Sequence, residues 1–358
     1  MLSRLIFTTG LPTWALFAEM AIAGLVVIFA GVRLARLADT LSDRLNLSGG
    51  WTGLLLLATV TSLPEVITGG TATWLGNADL AFAGIFGSCS FNITIIFVLN
   101  AIIGGGSVLG GTSRAHTLTS SFGLLLIGMA LAFIVLVEKF AGSPRIAQAI
   151  ELACVLLIIV TYLSCMRLTY QYERGLGDDQ PAATNWRAVP NPMYVRLVVL
   201  AVIMVAASWW LAKIGDVLST HEIEMIGRSL GATFVGATFL AIATSLPEIA
   251  TSITAVRLGN LDLALGNLFG SNMFNIAVIP MMKAVSLARG DDLLMHGANF
   301  DTGQNLFAGI LPIILTAIAI AGLTYHSRRS VLKRFGFDSV LIAVVYLIGM
   351  WALVTTPG

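Results

Sequence analysis

Apolar residues gather along the chain in runs of about twenty, divided by short polar stretches and without strict alternation inside the runs. Such a run is long enough, as helix, to cross the roughly 30 Å hydrocarbon core of a bilayer. Ten runs meet this test, centred near residues 24, 64, 92, 127, 156, 203, 246, 274, 314 and 346. Backbone amides cannot go unpaired in lipid, so spanning segments are helices or a closed barrel, and the missing alternation excludes the barrel. The expected fold is an all-α integral membrane protein of about ten transmembrane helices. The first run follows a single cation, Arg4, and lacks a small-residue cleavage site, so it reads as a retained helix and not as a signal peptide.

Composition strengthens this picture. The 358 residues are 57% hydrophobic and 11% charged, whereas soluble domains carry roughly 25% charged residues. With a mean hydropathy of +0.89, the chain cannot coat a water-facing particle, which excludes a soluble enzyme and makes the lipid bilayer its main partner. Twenty Lys and Arg against nineteen Asp and Glu, with no long basic run, exclude nucleic acid. No obligatory protein partner is indicated. Cys89, Cys154 and Cys165 are odd in number and lie in apolar stretches, so no disulfide framework is expected.

Alternating loops place 13 of the cations on one side, among them Arg33, Arg36, Arg44, Arg114, Arg167, Arg174, Arg187, Arg196, Arg257, Arg328, Arg329, Lys333 and Arg334, and seven on the other. The richer side is expected to be cytoplasmic, with both termini external. The longest connection, 167–193, is polar and turn-rich, with Asp178, Asp179, Pro181, Pro190 and Pro192, and reads as a solvated linker. It separates a first five-helix unit, 1–166, from a second, 194–358.

The two units share an internal repeat. Thr61–Ile93 (TSLPEVITGGTATWLGNADLAFAGIFGSCSFNI) aligns without a gap on Thr244–Ile276 (TSLPEIATSITAVRLGNLDLALGNLFGSNMFNI), with 20 of 33 positions identical. Five spans separate equivalent points. Because five is odd, the second copy enters the membrane from the opposite side, and such inverted repeats typically hold a substrate near mid-membrane on broken helices. Pro64 and Pro247 supply the breaks, freeing the carbonyls of Val60 and Ala243.

Each proline is followed by a glutamate, Glu65 or Glu248, near the centre of its span, where an ionised side chain costs at least ~3 kcal/mol. Thr61 and Glu65 stand at i and i+4, as do Ser88 and Asn92, and Thr244–Glu248 and Ser271–Asn275 repeat the spacing, so each pair shares a helix face. Pointed inward, these carboxylates, carboxamides, hydroxyls and carbonyls form an all-oxygen set suited to Ca²⁺ or Na⁺.

Other polar and small residues are expected to be structural. Gly76, Gly84, Gly87, Gly259, Gly266 and Gly270 read as close-packing positions. Glu19 and Glu151 lie toward external span ends, where a carboxylate reaches water. Asp79 and Asp262 read as helix caps at the membrane surface, Trp209 and Trp210 as an interfacial belt. His116, His221, His296 and His326 fall in loops or at span ends.

The paired TSLPE, Gly-Asn and Gly-Ser-x-x-Phe-Asn motifs resemble the two alpha-repeats of the cation/calcium exchanger superfamily, especially its sodium/calcium exchanger branch. They fall in stretches 53–100 and 236–283. The resemblance implies ten helices in two inverted five-helix repeats and an ion site made of Glu65, Glu248, Thr61, Ser62, Ser88, Asn92, Thr244, Ser245, Ser271 and Asn275. It adds the main-chain carbonyls of Ala58 and Ala241, and first and sixth spans that slide across the core to alternate access. The implied activity is antiport of Na⁺ against Ca²⁺, without a cofactor. Departures fall at Val60 and Ala243, where relatives commonly have Gly, at Asn275, where well-studied sodium/calcium exchangers carry Asp, and at Ala83-Gly84 and Cys89-Ser90, where Gly-Asn and Asn-Ile are usual. The proton-driven branch typically has Gly-Asn-Ala-x-Glu in place of TSLPE, which by analogy favours sodium coupling.

Proton-coupled or potassium-dependent exchange is the alternative within transporters, since a midplane glutamate can carry a proton. A channel could use the same oxygens, although inverted repeats with broken helices typify carriers. An intramembrane hydrolase would need a nucleophile and base, or an aspartate pair, at membrane depth, and neither is present, so no enzyme is expected. Short loops and the lack of a cleavable signal suit a prokaryotic inner membrane.

Overall fold

Helices dominate the computed structural model, which describes residues 12–44, 58–104, 107–113, 115–175, 191–222, 229–257, 259–290, 293–294, 300–325, 330–331 and 335–355. In chain order they are α1 (Thr13–Arg44), α2 (Leu63–Leu75), α3 (Ala78–Ile103), α4 (Ala115–Lys139), α5 (Pro144–Gly175), α6 (Asn191–Thr220), α7 (Ala232–Thr244), α8 (Leu246–Arg257), α9 (Leu261–Ala277), α10 (Ile279–Arg289), α11 (Thr302–Tyr325) and α12 (Phe337–Thr355). Among the described residues eight helical spans are long and apolar enough to cross a membrane, and the bent pair α7–α8 makes a ninth. The expected second span falls on α2, whose preceding residues 51–57 lie outside the described residues. The expected linker 167–193 is helical at both ends, since α5 runs on to Gly175 and α6 starts at Asn191. Arg4, Arg114, Asp178, Asp179, Pro181, Arg187, Pro190, His296, His326, Arg328, Arg329, Lys333 and Arg334 lie outside the described residues. A two-stranded antiparallel ladder, Ser330–Val331 with Phe335–Gly336, joins α11 to α12.

The most buried span is α3, which packs against α2, α7, α9, α11 and α12 and contributes Phe82, Phe86, Ile93 and Ile96 to the core. Its neighbours reach it closely where side chains vanish. A Cβ on Gly87 would sit 2.5 Å from the Ala237 carbonyl oxygen, and one on Gly236 would sit 2.8 Å from that of Leu80. The backbones of α3 and α7 therefore touch, and at this crossing α7 widens into a π-helical turn, Gly236–Leu240. Gly84 has ordinary room, 3.5 Å to Leu240.

Gly76 and Gly259 do different work from the expected packing. They take left-handed φ of 81° and 80° and end the helices before them, a conformation that a Cβ disfavours. Nor are Asp79 and Asp262 the caps of their helices. Asn77 and Asn260 cap α3 and α9, each side chain accepting an amide at 3.0 Å, from Leu80 and Leu263. The aspartates reach across instead. Asp79 accepts from the Asp301 amide at 3.0 Å and from Asn305, while Asp262 accepts from the Ser113 amide at 2.8 Å and meets His116 Nε2 at 2.9 Å. Each thus holds the start of a spanning helix of the other repeat, α11 or α4, and the two ties lie at opposite ends of the bundle, as alternation of sides requires. His116 is at a span end as expected, but engaged in this tie.

Trp209 is exposed on the outside of the bundle, and Trp210 is half-buried beside it. One other expectation fails because position along the span misjudges burial. Glu151 does not reach water. It is fully buried, 2.7 Å from Lys283 Nζ on α10, and its other oxygen accepts the Leu293 amide at 3.0 Å. Glu19 is half-buried, with one oxygen lacking a hydrogen-bond partner.

Two predictions follow from this packing. Lys283→Ala leaves a buried carboxylate uncompensated and is expected to cost about 3–5 kcal/mol, whereas the double change Glu151→Gln with Lys283→Met should lose less; thermal unfolding in detergent would rank the two. Gly87→Val forces α3 off α7 and should destabilise by about 1–3 kcal/mol, while Gly84→Ala, with its 3.5 Å clearance, should unfold near the wild-type temperature.

Candidate functional site

The two TSLPE segments break at their serines. Ser62 has φ −88°, ψ 10° and Ser245 φ −87°, ψ 8°, so the repeats bend in the same way. Between α7 and α8 the bend is 42°. Pro64 and Pro247 then fall in the first turn of α2 and α8, where a missing amide donor is harmless. Each break is therefore a helix end inside the bundle. Glu65 and Glu248 occupy the first turns of the new helices, where unpaired amides and the helix dipole favour negative charge.

The two glutamates are bound crosswise. Ser62 Oγ donates to Glu248 Oε1 at 3.0 Å, and Ser245 Oγ donates to Glu65 Oε1 at 3.1 Å. Each repeat thus supplies the hydroxyl that holds the other's carboxylate. Ser271 Oγ adds a second, longer bond to Glu248 Oε1 at 3.4 Å, and the Ser88 and Thr244 hydroxyls share a hydrogen bond of 3.2 Å. The Ala58 carbonyl accepts from the Ser62 amide at 3.0 Å and the Thr61 hydroxyl at 3.3 Å; the Ala241 carbonyl accepts from Ser245 and Thr244 in the same way, at 3.0 and 3.2 Å.

Asn92 and Asn275 are both fully buried. Asn92 Nδ2 donates to Asn272 Oδ1 at 3.1 Å, while neither polar atom of the Asn275 side chain has a hydrogen-bond partner among the described residues. All twelve expected positions are buried, and hydrogen bonds between the repeats join Ser62, Glu65, Ser88, Thr244, Ser245 and Glu248 directly.

What stays unsatisfied is as informative as what is bonded. Glu65 Oε2, Glu248 Oε2, Asn92 Oδ1 and Asn275 Oδ1 are buried acceptors without a donor among the described residues, beside the unpaired Asn275 amide nitrogen. Buried acceptors are normally paired, and leaving one bare costs about 1–3 kcal/mol, more when it is charged. Four bare oxygens of this kind, two of them carboxylate, suit a hard cation. A crevice too narrow for a water molecule borders Glu65 between α2, α3 and α7, with Thr68, Gly84, Leu240 and Thr244 among its walls.

Two carboxamides escaped sequence reasoning. Asn267 accepts from the Thr61 hydroxyl at 3.4 Å and donates to Thr251 at 3.1 Å. Asn272 accepts from Asn92 and donates to the Cys89 carbonyl at 3.0 Å. Their signal was present where the repeats disagree, since they face Gly84 and Cys89 in the alignment. The Gly-Asn and Asn-x of the second repeat therefore brace the polar residues of the first.

The family model described as sodium/calcium exchanger protein matches residues 15–166 and 194–355, one stretch in each half. The putative antiporter CaxA of Alkalimonas amylolytica is 30% identical over 266 residues, covering 72% of this chain and 77% of that one. Among solved structures, YfkE superposes with a TM-score of 0.64 at 16% identity, covering 94% of this chain and 92% of that one. The sodium-calcium exchanger NCX_Mj, soaked with 10 mM Na⁺ and no Ca²⁺, superposes with a TM-score of 0.56 at 18% identity, covering 95% and 99%. Two inverted five-helix repeats, matched in both halves by one family model, place this chain in the sodium/calcium exchanger family of membrane cation antiporters.

Proposed function

We propose that this protein is a secondary active antiporter that exchanges Na⁺ for Ca²⁺ at one site between its two repeats, 1–166 and 194–358. The crosswise bonding of Glu65 and Glu248 carries the reading. Each carboxylate spends one oxygen on a serine of the opposite repeat and turns the other, unpartnered, into the core. Thr61, Ser62, Ser88, Asn92, Thr244, Ser245, Ser271 and Asn275, with the carbonyls of Ala58 and Ala241, complete an oxygen-only surround from which Ca²⁺ draws six to eight ligands.

Charge dictates exchange in place of leakage. Two carboxylates buried in a lipid-surrounded core are strongly unfavourable without positive charge beside them. One Ca²⁺ or two Na⁺ neutralise the pair, so crossing with the site loaded is far easier than crossing with it bare. Each cation then moves only by replacing the other. The serine bonds fix the carboxylates in both loaded forms, and α1 and α6, which pack on each other and on α8 and α2, respectively, are the elements that would shift to expose the site to either side. The excess of cations on one face supports external termini, and the short loops suit a prokaryotic inner membrane.

In proteoliposomes, an imposed Na⁺ gradient is expected to drive ⁴⁵Ca²⁺ uptake. Uptake driven only by a pH or K⁺ gradient would overturn sodium coupling, and membrane current during uptake would exclude an electroneutral exchange of two Na⁺ per Ca²⁺. Glu65→Gln and Glu248→Gln should each abolish uptake in protein that still folds; normal uptake in either variant removes that residue from the site. Ser62→Ala and Ser245→Ala remove the bond that holds the opposite carboxylate and should weaken the apparent Ca²⁺ affinity about 10–100-fold, read as a rise in the half-saturating Ca²⁺ concentration.

A further inference from the structure

A cavity of about 600 Å³ opens between α1 and α6, away from the paired glutamates. Its α1 wall is one helical stripe, Phe29, Arg33, Arg36, Leu37 and Thr40, spaced by three and four residues. Its α6 wall is a second stripe, Val195, Arg196, Val199, Leu200 and Ile203. One end of the groove is thus ringed by three guanidiniums and the rest is hydrocarbon. None of the three arginines has an ion-pair partner among the described residues; Arg33 lies over the Phe29 ring, 3.8 Å from its centroid. Val195 and Val199 are 62% and 51% exposed on the outside of the bundle, so this wall faces the bilayer.

We infer that the groove holds an anionic phospholipid of the surrounding bilayer, its phosphate among Arg33, Arg36 and Arg196 and an acyl chain along Val195, Val199 and Ile203. Charge complementarity and amphipathic shape select this occupant together. A soluble anion would leave the apolar walls uncovered, and a zwitterionic lipid brings a cation of its own to the guanidiniums. Planar guanidiniums suit phosphate oxygens through paired N–H bonds, and basic pockets between membrane helices recur as headgroup sites. The arginines lie at the end of the molecule that carries most of the chain's cations, where anionic headgroups gather if that end is cytoplasmic. A lipid seated here touches both helices and so extends the α1–α6 contact, whose buried part is the apolar cluster of Val27, Ala30, Leu34, Met204 and Ala207.

The inference is independent of which cations are exchanged and is tested without transport. Native mass spectrometry of the full-length protein, titrated with phosphatidylglycerol or phosphatidylcholine, should show retained phosphatidylglycerol, and phosphatidylglycerol should raise the unfolding temperature. Arg33→Gln/Arg36→Gln/Arg196→Gln should weaken that binding on the order of 100-fold while leaving the unfolding temperature in phosphatidylcholine unchanged. Should the triple variant fail to fold, Arg196→Gln alone is expected to lose several-fold. Equal retention of the two lipids by the wild type, full retention by the variants, or displacement of the lipid by millimolar inorganic phosphate would each overturn the proposal.

Discussion

The structure depends on the burial of two carboxylates from opposite repeats at one place. Neither Glu65 nor Glu248 is held by its own half alone, because the shortest hydroxyl bond to each comes from a serine of the other half. That requirement forces the repeats together face to face and fixes which helices must meet. α2, α3, α8 and α9 form the middle of the bundle because their polar faces have nowhere else to go. The remaining spans then cover that middle from lipid.

Around this centre the two halves obey the same local rules to within a few degrees. The serine breaks, the left-handed glycines and the asparagine caps repeat, and so do the aspartate ties to α11 and α4. Departures cluster beside the glutamates. Asn267 and Asn272 have no carboxamide counterpart in the first repeat, so the first half is braced by the second more than the reverse. An approximate dyad in the backbone thus surrounds a chemically unequal core.

Much of this was legible in the sequence, for a physical reason. Hydrocarbon demands long apolar helices, and a buried acid after a proline is too costly to be accidental, so span positions, the inverted repeat and the polar positions at Thr61, Glu65, Ser88 and Asn92 with their partners could be read directly. What escaped was everything decided by contact between distant segments. No spacing along α5 indicates that Glu151 meets Lys283, and Asp262 resembles a cap until the loop containing Ser113 arrives beside it. The π-helical turn in α7 is likewise invisible in composition, because it answers to the backbone of α3 at Gly87.

The way α1 lies on the second repeat has a mechanical consequence. Gly24 and Gly31 of α1 pass over Ala243 and Pro247, so close that a methyl at Gly31 would come within 2.6 Å of the proline ring. No side-chain hydrogen bond crosses from α1 to α8 among the described residues. Such a seam has nothing directional to rupture. Dispersion lost as one methylene slides off another is recovered at the next, which makes the contact behave like a bearing surface laid against the very bend that carries Glu248.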